Sequence, residues 1–288
     1  MSVPGGARFN VGLVQMRSGL SPQANLDAAV RLIAEARDAG ADYVLTPEMT
    51  NILEVKRERL FAAILPEESD SSLAAFRDLA RKLRLFLHVG SLAIKLSAEK
   101  AANRSFLIDP DGEVVARYDK IHMFDVDLAG GESYRESNAF RPGGQTVLAE
   151  TPWGVLGMTV CYDLRFPQLY RTLAQAGADF LAIPSAFTVP TGKAHWHVLM
   201  RARAIENGCF VFAPAQWGEH AEGRRTYGHS LIVDPWGEVL ADAGEGVGIV
   251  SARIEVDAIA KARRMVPSLQ HDRVFSKPEL AIRPIAAE

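Results

Sequence analysis

Cysteine is nearly absent from this chain: its 288 residues include two, Cys161 and Cys209. Two cysteines build no disulfide framework, and such sparse use fits a reducing, cytoplasmic setting. Metal-ligand spacing is lacking as well. There is no Cys-x-x-Cys or His-Glu-x-x-His, and His195 and His197 are separated by one residue, not three, so no metal centre is expected. No apolar run approaches the roughly 18–20 residues of a membrane span. The opening Met1-Ser2-Val3-Pro4-Gly5-Gly6 shows no basic-plus-apolar signal pattern. Nor does one sign of charge dominate. Lys+Arg number 32 and Asp+Glu 35, giving a net charge of -3, so nucleic acid and anionic membrane have no electrostatic support as partners.

What remains is the composition of an ordinary globular protein, 48% hydrophobic and 23% charged, at a length that builds one large α/β domain or two smaller ones. Phe9 to Met16 alternates as a strand. Ser21-Pro22 then starts a helix, with Ser as cap and Pro at the first helical position, and Leu26, Val30 and Ile33 follow at helical spacing. Gly40 ends it, and Tyr43-Val44-Leu45 is the next strand. Asp70-Ser71 caps a second helix bearing Leu73, Phe76 and Ala80 on one face, ahead of a strand at Leu85 to Leu92. This β-α-β order predicts a layered α/β fold.

A hairpin from Asn103 to Tyr118 turns at Asp109-Pro110-Asp111-Gly112, and a second turns at Asp234-Pro235-Trp236-Gly237. Each turn is followed by Glu-Val-x-Ala, which predicts two similar halves packed sheet to sheet. Between them, Phe124 to Gly144 has no period, and an aperiodic stretch this long inside a domain is often part of a site. Strands are expected at Val155 to Val160, Phe180 to Ile183, Cys209 to Ala213 and Ile249 to Ile254. Helices are expected at Pro167 to Ala176, Ala194 to Glu206 and Val256 to Arg264, with a loop from Pro184 to Gly192. The tail from Val266 either drapes over the surface or makes a subunit contact.

Three residues follow strand ends: Glu48 after Tyr43 to Leu45, Lys120 after Glu113 to Tyr118, and Cys161 after Val155 to Val160. Taken singly, each has a plain reading: a turn glutamate, a surface lysine and a buried cysteine. If their strands share a sheet and an orientation, the three gather at one edge, where sites form in open α/β sheets. A thiol needs a base or a cation to become a good nucleophile. Glu48 is suited to take its proton and later protonate a leaving amine. Lys120 and the Tyr162 backbone N–H are suited to hold an oxyanion. Cys209, inside an apolar strand without charged neighbours in sequence, keeps the structural reading.

The chain resembles the nitrilase, or carbon-nitrogen hydrolase, superfamily from about Asn10 to about Arg273. The resemblance rests on Thr46-Pro47-Glu48, Tyr118-Asp119-Lys120-Ile121-His122 and Cys161-Tyr162-Asp163-Leu164-Arg165-Phe166-Pro167. It implies a Glu-Lys-Cys triad on an α/β fold, a four-layer α-β-β-α sandwich. It also implies one domain over 1–288 (core about 8–273, tail 266–288), a homodimer or higher oligomer, no metal and no cofactor. Glu136, in Arg135-Glu136-Ser137, stands where relatives carry a second glutamate that orients the lysine or assists as a base.

Pro184-Ser185-Ala186-Phe187, Thr191-Gly192-Lys193-Ala194-His195-Trp196, Arg201-Ala202-Arg203-Ala204-Ile205-Glu206 and Tyr227-Gly228-His229-Ser230 resemble the branch acting on small-molecule amides of 2-oxo acids. One arm of that branch splits deaminated glutathione into 2-oxoglutarate and cysteinylglycine; the other is an ω-amidase on 2-oxoglutaramate and 2-oxosuccinamate. Cys209 and Ala215-Gln216, with the Arg201 to Glu206 stretch, look nearer to the first. N-carbamoyl and aliphatic amidases are the remaining alternatives. The resemblance assigns Arg165 to the 2-oxo acid carboxylate, which a guanidinium fork suits, and puts Tyr162, Phe187 and Thr191 around the same pocket. Lys193 and His197 depart from the branch's usual Pro and Glu, and Lys193 is expected near the pocket.

Overall fold

The computed structural model describes residues 6–128 and 131–278. The first half of the chain forms β1 (Arg8–Gln15), α1 (Pro22–Asp38), β2 (Tyr43–Leu45), α2 (Arg57–Ala63), α3 (Ser71–Leu83), β3 (Phe86–Lys95), β4 (Ala101–Ile108), β5 (Val114–Asp119), β6 (Asp125–Asp127) and β7 (Ser133–Arg135). The second forms β8 (Val147–Thr151), β9 (Gly154–Met158), α4 (Pro167–Gln175), β10 (Phe180–Ala182), α5 (Val189–Asn207), β11 (Phe210–Ala213), β12 (Trp217–Glu219), β13 (Arg225–Tyr227), β14 (Leu231–Val233), β15 (Val239–Asp242), β16 (Gly248–Glu255) and α6 (Asp257–Met265).

Strand residues alternate between two apolar environments, so both faces of each sheet are covered. Phe9, Val11 and Leu13 of β1 join Tyr43 and Leu45 in the cluster between the sheets. Val14, with Val44 of β2, faces Leu26, Ala29, Ile33 and Phe76 of α1 and α3 on the outside. The inter-sheet cluster takes Leu156, Phe180 and Phe212 from the second sheet, and Leu169 and Trp196 of α4 and α5 pack with it. Aromatic contacts cross the middle: Phe9 to Phe180 at 5.4 Å and Tyr43 to Phe212 at 5.8 Å between ring centres. The layers are therefore helix, sheet, sheet, helix. The helix starts follow the expected chemistry: the Ser21 hydroxyl accepts from Ala24 N, and the Asp70 carboxylate accepts from Leu73 N.

The two six-stranded sheets run β16-β1-β2-β3-β4-β5 and β15-β14-β11-β10-β9-β8. In the first, β1, β2 and β3 are parallel, and β4 and β5 fold back in antiparallel succession. In the second, β9, β10 and β11 are parallel, and β14 and β15 repeat the same return. One antiparallel strand flanks the parallel side of each, β16 on β1 and β8 on β9. The two halves thus correspond strand by strand, except that β16, from the end of the chain, completes the first sheet. Their repeated turns are built alike. Asp109 Oδ1 accepts from the N–H of Asp111 and Glu113, and Asp234 Oδ1 from those of Trp236 and Glu238.

Several elements escape the sequence pattern: α2, β8 and the small hairpins β6–β7 and β12–β13. The aperiodic stretch from Phe124 holds β6, β7 and a single helical turn, Glu136–Asn138. Helix α5 begins at Val189, so the expected loop from Pro184 is cut short. Pro190 lies in the first turn, where its missing N–H costs nothing. Gly192 answers to packing and not to a turn: a Cβ there would lie 2.2 Å from the Tyr227 ring. In the tail, Arg171 holds Ser268 and Asp272 against the body, while Val274 and Phe275 stand in solvent. Residues 279–288 of the expected tail lie outside the described residues.

Two buried histidines give the fold a pH signature. His88 of β3 bonds Tyr43 Oη and Ser105 Oγ, both at 2.7 Å, and burial pulls its pKa down to about 3. His220, between Ser18 O and Thr226 Oγ1, is pulled down to about 4, chiefly by burial. Unfolded, each takes up a proton near pH ~6.5; folded, neither does until well below that. The unfolded state therefore binds more protons, and stability falls as pH drops from ~6.5 toward the folded values. Between pH 7 and pH 5 each histidine should remove roughly 1–2 kcal/mol, read as a lower urea midpoint. An unchanged midpoint over that range contradicts the assignment.

Candidate active site

Glu48, Lys120 and Cys161 meet, but not along one sheet edge. Glu48 follows β2 and Lys120 follows β5, two strands that point the same way in the first sheet; Cys161 follows β9 in the second. The condition of one shared sheet is not met: the group is assembled across the sandwich, because both sheets end at one cavity of about 570 Å³.

The Lys120 ammonium is 2% exposed and lies 2.8 Å from Glu48 Oε1 and 2.8 Å from Glu136 Oε2. Burial alone would pull its pKa down; the charges of Glu136 and Glu48 more than reverse this, and it stays well above the ordinary lysine range. Burial would push the Glu48 carboxyl up, but Lys120's charge and hydrogen bond, helped by Cys161 and Asn103, hold it below the usual carboxylate value. Asn103 Nδ2 donates to Glu48 Oε1 at 2.9 Å and to Glu136 Oε1 at 3.1 Å. Ala186 N donates to Glu48 Oε2, and Phe124 N to Glu136 Oε2. Every carboxylate oxygen of the pair is thus fixed by a donor.

Cys161 sits at φ +50°, a left-handed conformation unusual for a non-glycine residue. Asp163 supports the bend. Its buried carboxylate accepts from Val160 N, Tyr118 Oη and His122 N, at 2.9, 2.6 and 3.0 Å. The thiol faces Glu48 and the Ala186 N–H. Burial first, then the Glu48 charge, push it well above the ordinary thiol range, against the pull of Lys120. Both effects disfavour a preformed thiolate at this turn.

Tyr162, Phe187 and Thr191 line the cavity. Arg165 does not: its guanidinium lies behind that wall, 5.9 Å from the Tyr162 ring centre and 5.6 Å from that of Phe187, and bonds His195 Nδ1. Lys193 is exposed and off the cavity, because α5 already runs there and turns Thr191 inward and Lys193 out. His197 bonds Asp242, which also bonds His229; this cluster of ligand-type atoms within 4.8 Å was invisible to sequence spacing and lies apart from the triad. Sequence reasoning also missed Asn103 and the contact by which Gln216 Nε2 holds Glu48 O. A polar residue inside an apolar strand was the available sign for Asn103. Arg224, on a hairpin the sequence did not reveal, lines the cavity too.

The sequence model described as Carbon-nitrogen hydrolase matches residues 10–264. A protein of Yersinia enterocolitica named deaminated glutathione amidase is 41% identical over 93% of this chain and 94% of its own length. One of the same name from Synechocystis sp. is 42% identical over 91% and 97%. The crystal structure of the C. elegans NitFhit protein superposes with a TM-score of 0.87 at 36% identity. It is covered over 94% of this chain and 66% of its own, so this chain spans about two thirds of that fusion protein.

The loop carrying Glu48 is shaped by a close approach. Thr46 Oγ1 accepts from Gly90 N, and Ser91 Oγ from Met49 N. A Cβ on Gly90 would fall 1.9 Å from Thr46 O and 2.6 Å from Pro47 O. Gly90→Ala should therefore cost about 3 kcal/mol or more in chemical denaturation and depress activity further by moving Glu48. Wild-type stability in that variant would show that the contact is not rigid.

Proposed function

The chain belongs to the carbon-nitrogen hydrolase family, and on that premise we propose that Cys161, Glu48, Lys120 and Glu136 hydrolyse the amide of a 2-oxo acid through a thioester. Deaminated glutathione is the proposed substrate. The observation that carries the chemistry is the contact of a buried lysine with two carboxylates beside a buried, free cysteine. The substrate rests on the name and near full-length similarity of the relatives.

Glu48 takes the Cys161 proton as sulfur bonds the amide carbon, and the carbonyl π pair moves to oxygen. An ammonium has three N–H donors. One serves Glu48 and one is shared between the two oxygens of Glu136, leaving one for the oxyanion beside the Tyr162 N–H. Glu48 returns its proton to the amide nitrogen, the C–N bond breaks, and cysteinylglycine leaves. Glu48 then takes a proton from water, whose oxygen attacks the thioester. The C–S bond breaks, 2-oxoglutarate departs and the thiol recovers its proton. Glu136 keeps Lys120 protonated and in place. No step calls for a cofactor.

Assembly of the triad across both sheets favours residues 8–273 as one domain. The exposed Val274 and Phe275 favour a subunit contact, hence the homodimer or higher oligomer, which light scattering on the purified chain checks. No described helix is long and apolar enough to cross a membrane. Two buried free thiols suit the proposed cytoplasmic setting.

Intact-mass spectrometry with a slow 2-oxo acid amide should find the acyl adduct on the wild type and none on Cys161→Ala; an adduct on that variant sinks the nucleophile. Glu48→Gln should lower kcat by about 10²–10⁴-fold, and near-wild-type turnover removes it as the base. A panel of deaminated glutathione, 2-oxoglutaramate, an N-carbamoyl amino acid and an aliphatic amide tests the substrate. The first should be preferred, and preference for the second makes the protein an ω-amidase.

A further inference from the structure

A row of three aromatic rings forms one wall of the cavity. Tyr162, Phe124 and Tyr134 follow one another with ring centres 5.1 and 5.3 Å apart. A guanidinium caps each end. Arg165 lies 5.9 Å from the Tyr162 ring centre and Arg224 lies 5.5 Å from that of Tyr134.

Arg224 is poorly satisfied where it stands. Its Nη2 donates one long bond, 3.3 Å, to Ala186 O, and its Nε is buried with no partner among the described residues. The acids that share the cavity wall are engaged elsewhere. Glu222 pairs with Lys56 and Arg59, Glu54 with Arg59, and Glu48 and Glu136 with Lys120, while Glu132 accepts from the Tyr134 hydroxyl. Its neighbour Arg225 is exposed, so water screens that charge. A half-buried guanidinium with an unsatisfied N–H is unfavourable unless an anion meets it, and a carboxylate matches its fork.

Position decides which carboxylate. Arg224 holds the carbonyl of Ala186, whose N–H is bonded to Glu48 Oε2. Glu48 is the group that must reach the leaving nitrogen, so Arg224 stands on the amine side of the scissile bond. Arg165 stands at the other end of the ring row. Resting on the function proposed above, we infer that Arg224 anchors the free carboxylate of the departing amine. Arg165, behind the cavity wall, takes no part in that contact.

The test compares deaminated glutathione with its C-terminal carboxamide, which differs only in the charge at the glycine end, and includes 2-oxoglutaramate. In the wild type kcat/KM should favour the acid about tenfold or more, mainly through KM. Arg224→Gln should bring that ratio close to one. Arg224→Lys should keep part of it, as a cation without the fork. A wild-type ratio near one overturns the inference whether or not the variants fold, and so does a preference that survives Arg224→Gln. If the wild type hydrolyses 2-oxoglutaramate but neither peptide, the substrate reading itself fails and takes this inference with it.

Discussion

The Lys120 ammonium is the point to which the site is tied. It ends the run from β5, reaches Glu48 past β2 and Glu136 past β7, and is almost wholly out of water. A buried ammonium without partners would lose its proton or disrupt its surroundings. The two carboxylates, each braced by Asn103 and by a backbone N–H, remove that penalty and join three separate segments at one atom. Cys161 is then set against this fixed charge by its own bend, which the Asp163 carboxylate braces from Tyr118 and His122 of the first half.

The internal repeat divides the chemistry between its copies. Leu13 pairs with Leu45 in the first sheet, and Met158 with Ala182 in the second. Counting on from these pairs, Glu48 corresponds to Ser185 and Cys161 to Met16, both buried. The proposed base comes from one copy and the proposed nucleophile from the other. The non-catalytic counterpart still serves: the loop of Pro184 and Ser185 continues to Ala186, which donates its N–H to Glu48. Its Pro184 carbonyl accepts from Cys161 N. A duplicated fold thus places two similar strand-end loops face to face, and one frames the residue offered by the other.

Much of this was legible locally. The caps at Ser21 and Asp70, the repeated Asp-Pro-x-Gly turns and the residues at the ends of β2, β5 and β9 each depend on a few neighbouring residues, so the chain displays them directly. What failed depends on packing. Which sheet each strand joins is decided by the inter-sheet core, so the residues alone left a single shared edge as a condition, which the two sheets do not meet. Pro190 and Gly192 read as loop residues because helix propensity says nothing of a first-turn proline or of a tyrosine ring that requires glycine opposite it. Lys193 was expected near the pocket because the helix phase that sends it outward was unknown. Asn103, Gln216 and Arg224 matter through contacts far away in sequence, for which a single chain offers only weak signs.

The charge count explains why two glutamates accompany one lysine. With Lys120 positive and both carboxylates ionised, the buried group carries one net negative charge, and a thiolate would add a second. Burial, and then the Glu48 charge, push the Cys161 thiol up, while Lys120's charge and hydrogen bond hold Glu48 down against its own burial. In the proposed attack the proton passes from sulfur to Glu48 and the total is unchanged: the carboxylate's charge moves to sulfur and on to the oxyanion, both within reach of the same ammonium. During that interval Glu48 is neutral, and a lysine paired with it alone would face the new oxyanion without a standing counter-charge. In this proposal Glu136 takes no part in the transfer, so it keeps Lys120 charged and oriented throughout. One carboxylate moves the proton and the other stays fixed, so the cation between them never has to be desolvated alone.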